Sequence, residues 1–212
     1  MRSRAFIGRR IILLALSLCA IGVLPSPLTA LAQPTASAQQ ALVIKTEAEK
    51  KVKQLPAGPW YWLIESFPTL AAAQGAEGPT SLSAQVADKG WLFTLGAKGQ
   101  PTHGGTKVAE VGPVATFSAP EYLLRINSAG GPPGSKTPVH MHPGFETFYV
   151  LSGEFTLRTA DGVSHVEASR FMTGHAPDTA MQVSSTGAGD LSALVLFVVD
   201  GTKPFSSPAK LE

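Results

Sequence analysis

The segment Gly134-Ser-Lys-Thr-Pro-Val-His140-Met-His142-Pro-Gly-Phe-Glu146 constrains this chain more than any other stretch. His140 and His142 stand two positions apart, and on an extended strand positions i and i+2 point to the same face. Pro143-Gly144 then turns the backbone, so that Glu146 on the next strand returns a carboxylate to the same spot. Two imidazole nitrogens and one carboxylate oxygen form a borderline-hard donor set, suited to a divalent Fe, Mn, Ni or Zn ion.

The spacing Gly-x5-His-x-His-x3-Glu-x6-Gly, from Gly134 to Gly153, resembles the first motif of the cupin superfamily, with each fixed position filled. Pro143 and the apolar run Phe148-Tyr149-Val150-Leu151 are similar to that family as well. The resemblance implies an all-β chain folded as a cupin or jelly-roll-like double-stranded β-barrel. It further implies a metal held inside by His140, His142 and Glu146. Phe148 and Val150, in period with Glu146, are then expected to face inward as well, with Phe148 at the pocket.

The second motif of that family runs roughly Pro-x-Gly-x2-His-x3-Asn, and here the chain departs from it. In the register set by Thr186-Gly187, Met181 stands at the third histidine's position and Ser185 at the asparagine's. His175 comes six residues too early to replace the missing imidazole. A thioether is a weak donor to Fe, Mn or Zn, although with two histidines it suits copper.

Residues 1–32 read as an export leader. Arg2, Arg4, Arg9 and Arg10 precede the apolar run Ile11–Leu24, and Ala30-Leu31-Ala32 is a small-x-small cleavage site before Gln33. The run is short for a bilayer and is followed by Pro25 and Pro27, which argues against a retained membrane anchor. Arg9-Arg10 leaves both general and twin-arginine export open. The implied location is periplasmic or secreted. Four of the 17 basic residues and none of the 15 acidic ones fall in this segment, so the mature chain is slightly acidic. No basic face for nucleic acid is indicated.

After the leader, residues 33–59 read as a linker and a helical arm. Ala41, Ile44, Ala48, Val52 and Leu55 recur at helical spacing, and Glu47–Lys51 and Glu49–Lys53 are i,i+4 pairs. Residues 60–118 read as strands packing on the barrel, with Trp60-Tyr61-Trp62 either core or a stacking surface for a ring ligand. His103 reads as an exposed loop histidine without a partner. Residues 119–200 are the barrel proper. There Arg125 either anchors an anionic ligand at the mouth or pairs with Glu121. The Gly/Pro stretch 128–135 serves as a lid or simply as a corner. Residues 201–212 read as a loosely ordered tail.

Two functions fit this pattern. One is a metal-dependent enzyme, a dioxygenase or isomerase acting on a small molecule, with the ion as Lewis acid and template. The other is a non-catalytic module that retains a sugar or phenolic compound, its metal site structural or degenerate. Neither involves nucleic acid or, in the mature form, a membrane, and both leave room for a homodimer.

Overall fold

Strand β13 (Leu191–Asp200) is the element around which the others are arranged. Its run Leu-Ser-Ala-Leu-Val-Leu-Phe-Val-Val offers water no polar face, so both sides must be covered. A computed structural model, which describes residues 40–211, places it at the centre of a five-stranded sheet. The order is β1 (Val43–Val52), β6 (Tyr122–Gly131), β13, β8 (Gly144–Ser152) and β11 (Phe171–Thr173). The leader read over residues 1–32 lies outside the described residues, as do residues 33–39 and 212.

A second five-stranded sheet runs β10 (Gly162–Glu167), β9 (Glu154–Thr159), β12 (Met181–Ser185), β7 (His140–Met141) and β14 (Ser207–Pro208). From β6 onward the chain passes back and forth between the two sheets, only β9 and β10 following each other within one. All pairings in the two sheets are antiparallel. That alternation is a double-stranded β-helix, the jelly-roll form of barrel. Between the sheets lie Phe148, Val150, Phe155, Leu157, Val183 and Val195.

The outer face of the first sheet is covered by β3 (Ser81–Val86), β4 (Lys89–Gly96), β2 (Trp60–Phe67) and β5 (Thr106–Val114). Trp62, Phe93, Leu124, Ile126, Leu194 and Leu196 form the core there. β13 therefore gives Leu194 and Leu196 to one core and Val195 and Phe197 to the other. Trp60 and Trp62 are core residues, each burying apolar surface worth roughly 25 cal/mol per Å². Among the described residues no helix is long and apolar enough to cross a membrane.

Three expectations are corrected here. The arm expected to be helical is β1, a strand antiparallel to β6 with a bulge between Thr46 and Ala48. β6 would otherwise present a row of unpaired N–H and C=O groups, and satisfying them outweighs the weak helical stripe. The charges follow the strand: Glu49 meets Arg125, Lys51 meets Glu121, and Lys50 reaches Glu77 and the Ser81 carbonyl. Barrel strands thus come from outside residues 119–200 at both ends, through β1 and β14.

His103, expected to be alone, pairs through Nδ1 with Glu65 at 2.9 Å, and Glu65 is fully buried on β2. The same carboxylate accepts the backbone N–H groups of His103 and Gly105, so it ties down the loop after β4. Of the 128–135 stretch, residues 128–131 complete β6 and the rest is a pinned corner: Gly134 N donates to the Ser185 carbonyl at 2.8 Å, and Ser185 N to that of Ser135 at 2.9 Å.

Candidate ligand and metal site

Local sequence explains how the motif enters the barrel. β7 ends at Met141, and Pro143 cannot extend its ladder. Gly144 is required by close approach, because a Cβ there would run into the Val198 carbonyl of β13. The sharp turn lets β8 start against β13 and carries Glu146 inward beneath the histidines.

His142 is 4% exposed and Glu146 3%. The Nδ1 of His142 lies 2.7 Å from the carbonyl oxygen of Phe205, and that of His140 lies 2.9 Å from the Pro138 carbonyl. A carbonyl only accepts, so Nδ1 carries a proton in both rings, and the Nε2 of His142 keeps a free lone pair. The Nε2 of His142 stands 3.8 Å from Glu146 Oε2, beyond hydrogen-bond reach. Glu146 Oε1 has no partner at all. Burial pushes the Glu146 carboxyl up to about 8. It pushes the His142 imidazole down to about 4, against the Phe205 carbonyl and with the help of the His140 and Arg125 charges. Near neutral pH the two are thus an uncharged acid beside an uncharged base, not an ion pair.

Strand register lays out the floor. Arg125 is opposite Phe197, which is opposite Glu146; one step along, Asn127 is opposite Val195, which is opposite Phe148. Phe155, Val183, Phe205 and Pro208 add walls, enclosing a cavity of about 410 Å³. His142 is held between Phe197 and Phe205, ring centroids 4.9 and 4.7 Å away.

Of the residues singled out in the sequence, His140, His142, Glu146 and Phe148 line this one cavity. Met181 does not line it. It is 2% exposed within the apolar wall, directly opposite His140 in the ladder. Arg125 does not line it either, and its expected pairing with Glu121 is replaced. Its Nη2 is 2.6 Å from Glu49 and its guanidinium lies 3.8 Å above the centroid of the Phe205 ring. Along a strand, residues four apart are about 13 Å apart, whereas a residue directly opposite is about 5 Å away. The tail expected to be loose is part of the site: Ser207 and Pro208 pair with β7, and Phe205 closes the cavity. Phe205, an aromatic side chain in an otherwise polar tail, was the available signal. Asn127, Phe155 and Phe197 carried no comparable one.

A metal of the kind implied by the motif would find a suitable donor chemistry here. Both imidazoles spend Nδ1–H on backbone carbonyls, the usual support for a metal-binding ring, and Glu146 has an oxygen without a partner. Among the described residues, however, no three such groups converge closely enough to hold an ion as they stand. His140, edge-on to His142 at 5.0 Å between centroids, has to turn inward to complete the set.

No protein-family model matches the chain, and no curated protein does. Solved structures similar to part of it include a conserved protein with a double-stranded β-helix domain from Klebsiella pneumoniae subsp. pneumoniae MGH 78578. That match has 22% identity over 41% of this chain and 75% of the other, with a TM-score of 0.36. A cupin-like protein from Thermotoga maritima is 12% identical over 42% of this chain and 65% of its own, TM-score 0.37. The polyketide cyclase of Streptomyces resistomycificus is 18% identical over 42% and 62%, TM-score 0.35. The matched part is less than two thirds of the last two proteins' length. The strand alternation is that of a double-stranded β-helix barrel, and the motif sits on its strands β7 and β8.

Proposed function

We propose that this cupin barrel binds a small, uncharged ring compound, aromatic rather than sugar-like. The observation that carries the reading is the cavity itself, about 410 Å³ and faced by Phe148, Phe155, Phe197 and Phe205, with an accessible lining that is mostly apolar. A sugar would bury most of its hydroxyls against phenyl rings without partners, whereas an aromatic ring matches them. The leader read over residues 1–32 makes the protein an exported one.

The polar end supports a second, compatible reading, in which His140, His142 and Glu146 hold a divalent transition metal. When bound, such an ion would supply Lewis-acid and orienting chemistry at the end of the cavity where the ligand meets these residues. The chain's own contribution is to fix the tautomers through Pro138 and Phe205, to keep Glu146 dry, and to exclude water with the phenylalanines. Whether the outcome is a dioxygenase, an isomerase or simple retention follows from what the bound ring carries.

The test is calorimetric titration of metal-free protein with 2-methoxynaphthalene, an uncharged ring probe. Binding is expected in the wild type and is expected to be lost in Val195→Phe, which fills the cavity from its floor. An equal affinity in a folded Val195→Phe variant overturns the reading.

A further inference from the structure

Asn127 lies on the inward face of β6, two residues beyond Arg125, and is 4% exposed. Its row across the sheet continues with Val195 and Phe148, and all three line the cavity. No hydrogen bond satisfies its buried Oδ1. An amide enclosed by apolar neighbours with an unpaired oxygen is unfavourable, and a ligand group that pairs with it removes that penalty.

The rest of the lining narrows what that group is. It includes no lysine or arginine, and Arg125 is engaged by Glu49 and Phe205. An anionic group there would have no counter-charge, and a plain hydrocarbon would leave the amide unpaired. A hydroxyl donates and accepts through a single atom, which matches an amide offering both a carbonyl and an NH2. Glu146 lies two strands across and one step along the sheet, roughly 10 Å and 7 Å between Cα positions. One small group therefore cannot serve both ends.

We infer that Asn127 determines specificity: the cavity takes an uncharged aromatic molecule bearing a hydroxyl, which sits at Asn127 with the ring among Phe148, Phe155 and Phe197. This rests on the reading of the cavity as a site for ring compounds. The far edge of the ring then faces His142 and Glu146, so the hydroxyl at Asn127 orients the molecule rather than reacting.

The experiment titrates the full chain, freed of metal by a chelator, with 2-naphthol and with 2-methoxynaphthalene near pH 7. These probes differ only in the hydroxyl proton and one methyl group. The wild type is expected to bind 2-naphthol about tenfold more tightly, the size of one net hydrogen bond. Asn127→Leu is expected to bring the ratio to about one by weakening 2-naphthol alone; Asn127→Ala gives the same comparison if the leucine variant does not fold. Equal binding of both probes by the wild type, or an unchanged ratio in the variant, overturns the role of Asn127 and leaves the ring-compound site standing. Failure of the wild type to bind either probe overturns that site, and this inference with it.

Discussion

The Nδ1–H of His142 donates to the carbonyl oxygen of Phe205 at 2.7 Å, joining a histidine of the motif to a residue 63 positions later in the chain. The bond sets the tautomer of the imidazole, and the Phe205 ring holds it in place. Removing residues 203–212 should therefore weaken Zn(II) binding by about 10–100-fold, the usual consequence of losing such a supporting partner. Competition with a chromophoric chelator measures this. An unchanged affinity would show that the tail does not support the site.

Purified without chelating resin, the wild type should carry one divalent transition metal per chain, and His142→Ala should carry little. Elemental analysis decides it, and sub-stoichiometric metal in the wild type that is unaffected by the substitution rules the site out.

Binding should also release protons in a particular pH range. With Glu146 raised to about 8, its carboxyl is protonated near pH 7 and must lose that proton to bind a metal, whereas His142, lowered to about 4, is already neutral. Apparent affinity should rise about tenfold per pH unit between roughly 6.5 and 8 and then level off, with Glu146→Gln showing no such slope. Calorimetry in buffers of different ionisation heat counts the protons directly.

The same groups govern stability without metal. Glu146 has a raised folded value, so its contribution is complete below 4.5 and is lost as pH rises through about 8. His142 has a depressed one, so its contribution is complete above 6.5 and is lost as pH falls through about 4. From pH 6.5 to 8 the wild type should lose stability, at most about 1.4 kcal/mol per pH unit, while Glu146→Gln stays level. From pH 4.5 to 6.5 the two contributions oppose each other in the wild type, and Glu146→Gln should reveal the histidine slope. Urea melts across the range test both, and parallel curves would show that Glu146 ionises normally.

Met181 stands directly opposite His140, with its side chain on the same side of the sheet. Met181→His should then add a donor near His140 and tighten Zn(II) binding by about 10–100-fold, a span taken from losses at supporting residues. For Cu(I), which accepts a thioether, the gain should be smaller or reversed. Equal Zn(II) affinity in the two proteins would mean that the wall does not yield at this position.

Much of the architecture was legible because local chemistry left few choices. From Gly134 to Gly153 the His-x-His pair, the Pro143-Gly144 turn and Glu146 follow the motif that the chain resembles, and β13 is apolar on both faces because it divides two cores. These are short-range effects, set by residues within a few positions of one another.

What only the tertiary structure decided concerns partners distant in the chain. The charged stretch around Glu49 reads as a helix until β6 presents an open edge, and a hydrogen-bonded ladder then prevails over a thin apolar stripe. Arg125 satisfies its charge on the strand beside it rather than four residues back, and His103 turns to the buried Glu65. Phe205 and Asn127 acquire their roles from the cavity, where one supplies a wall and a carbonyl and the other an unpaired amide. Periodicity reports which face a side chain occupies; what that face meets depends on how the sheets close.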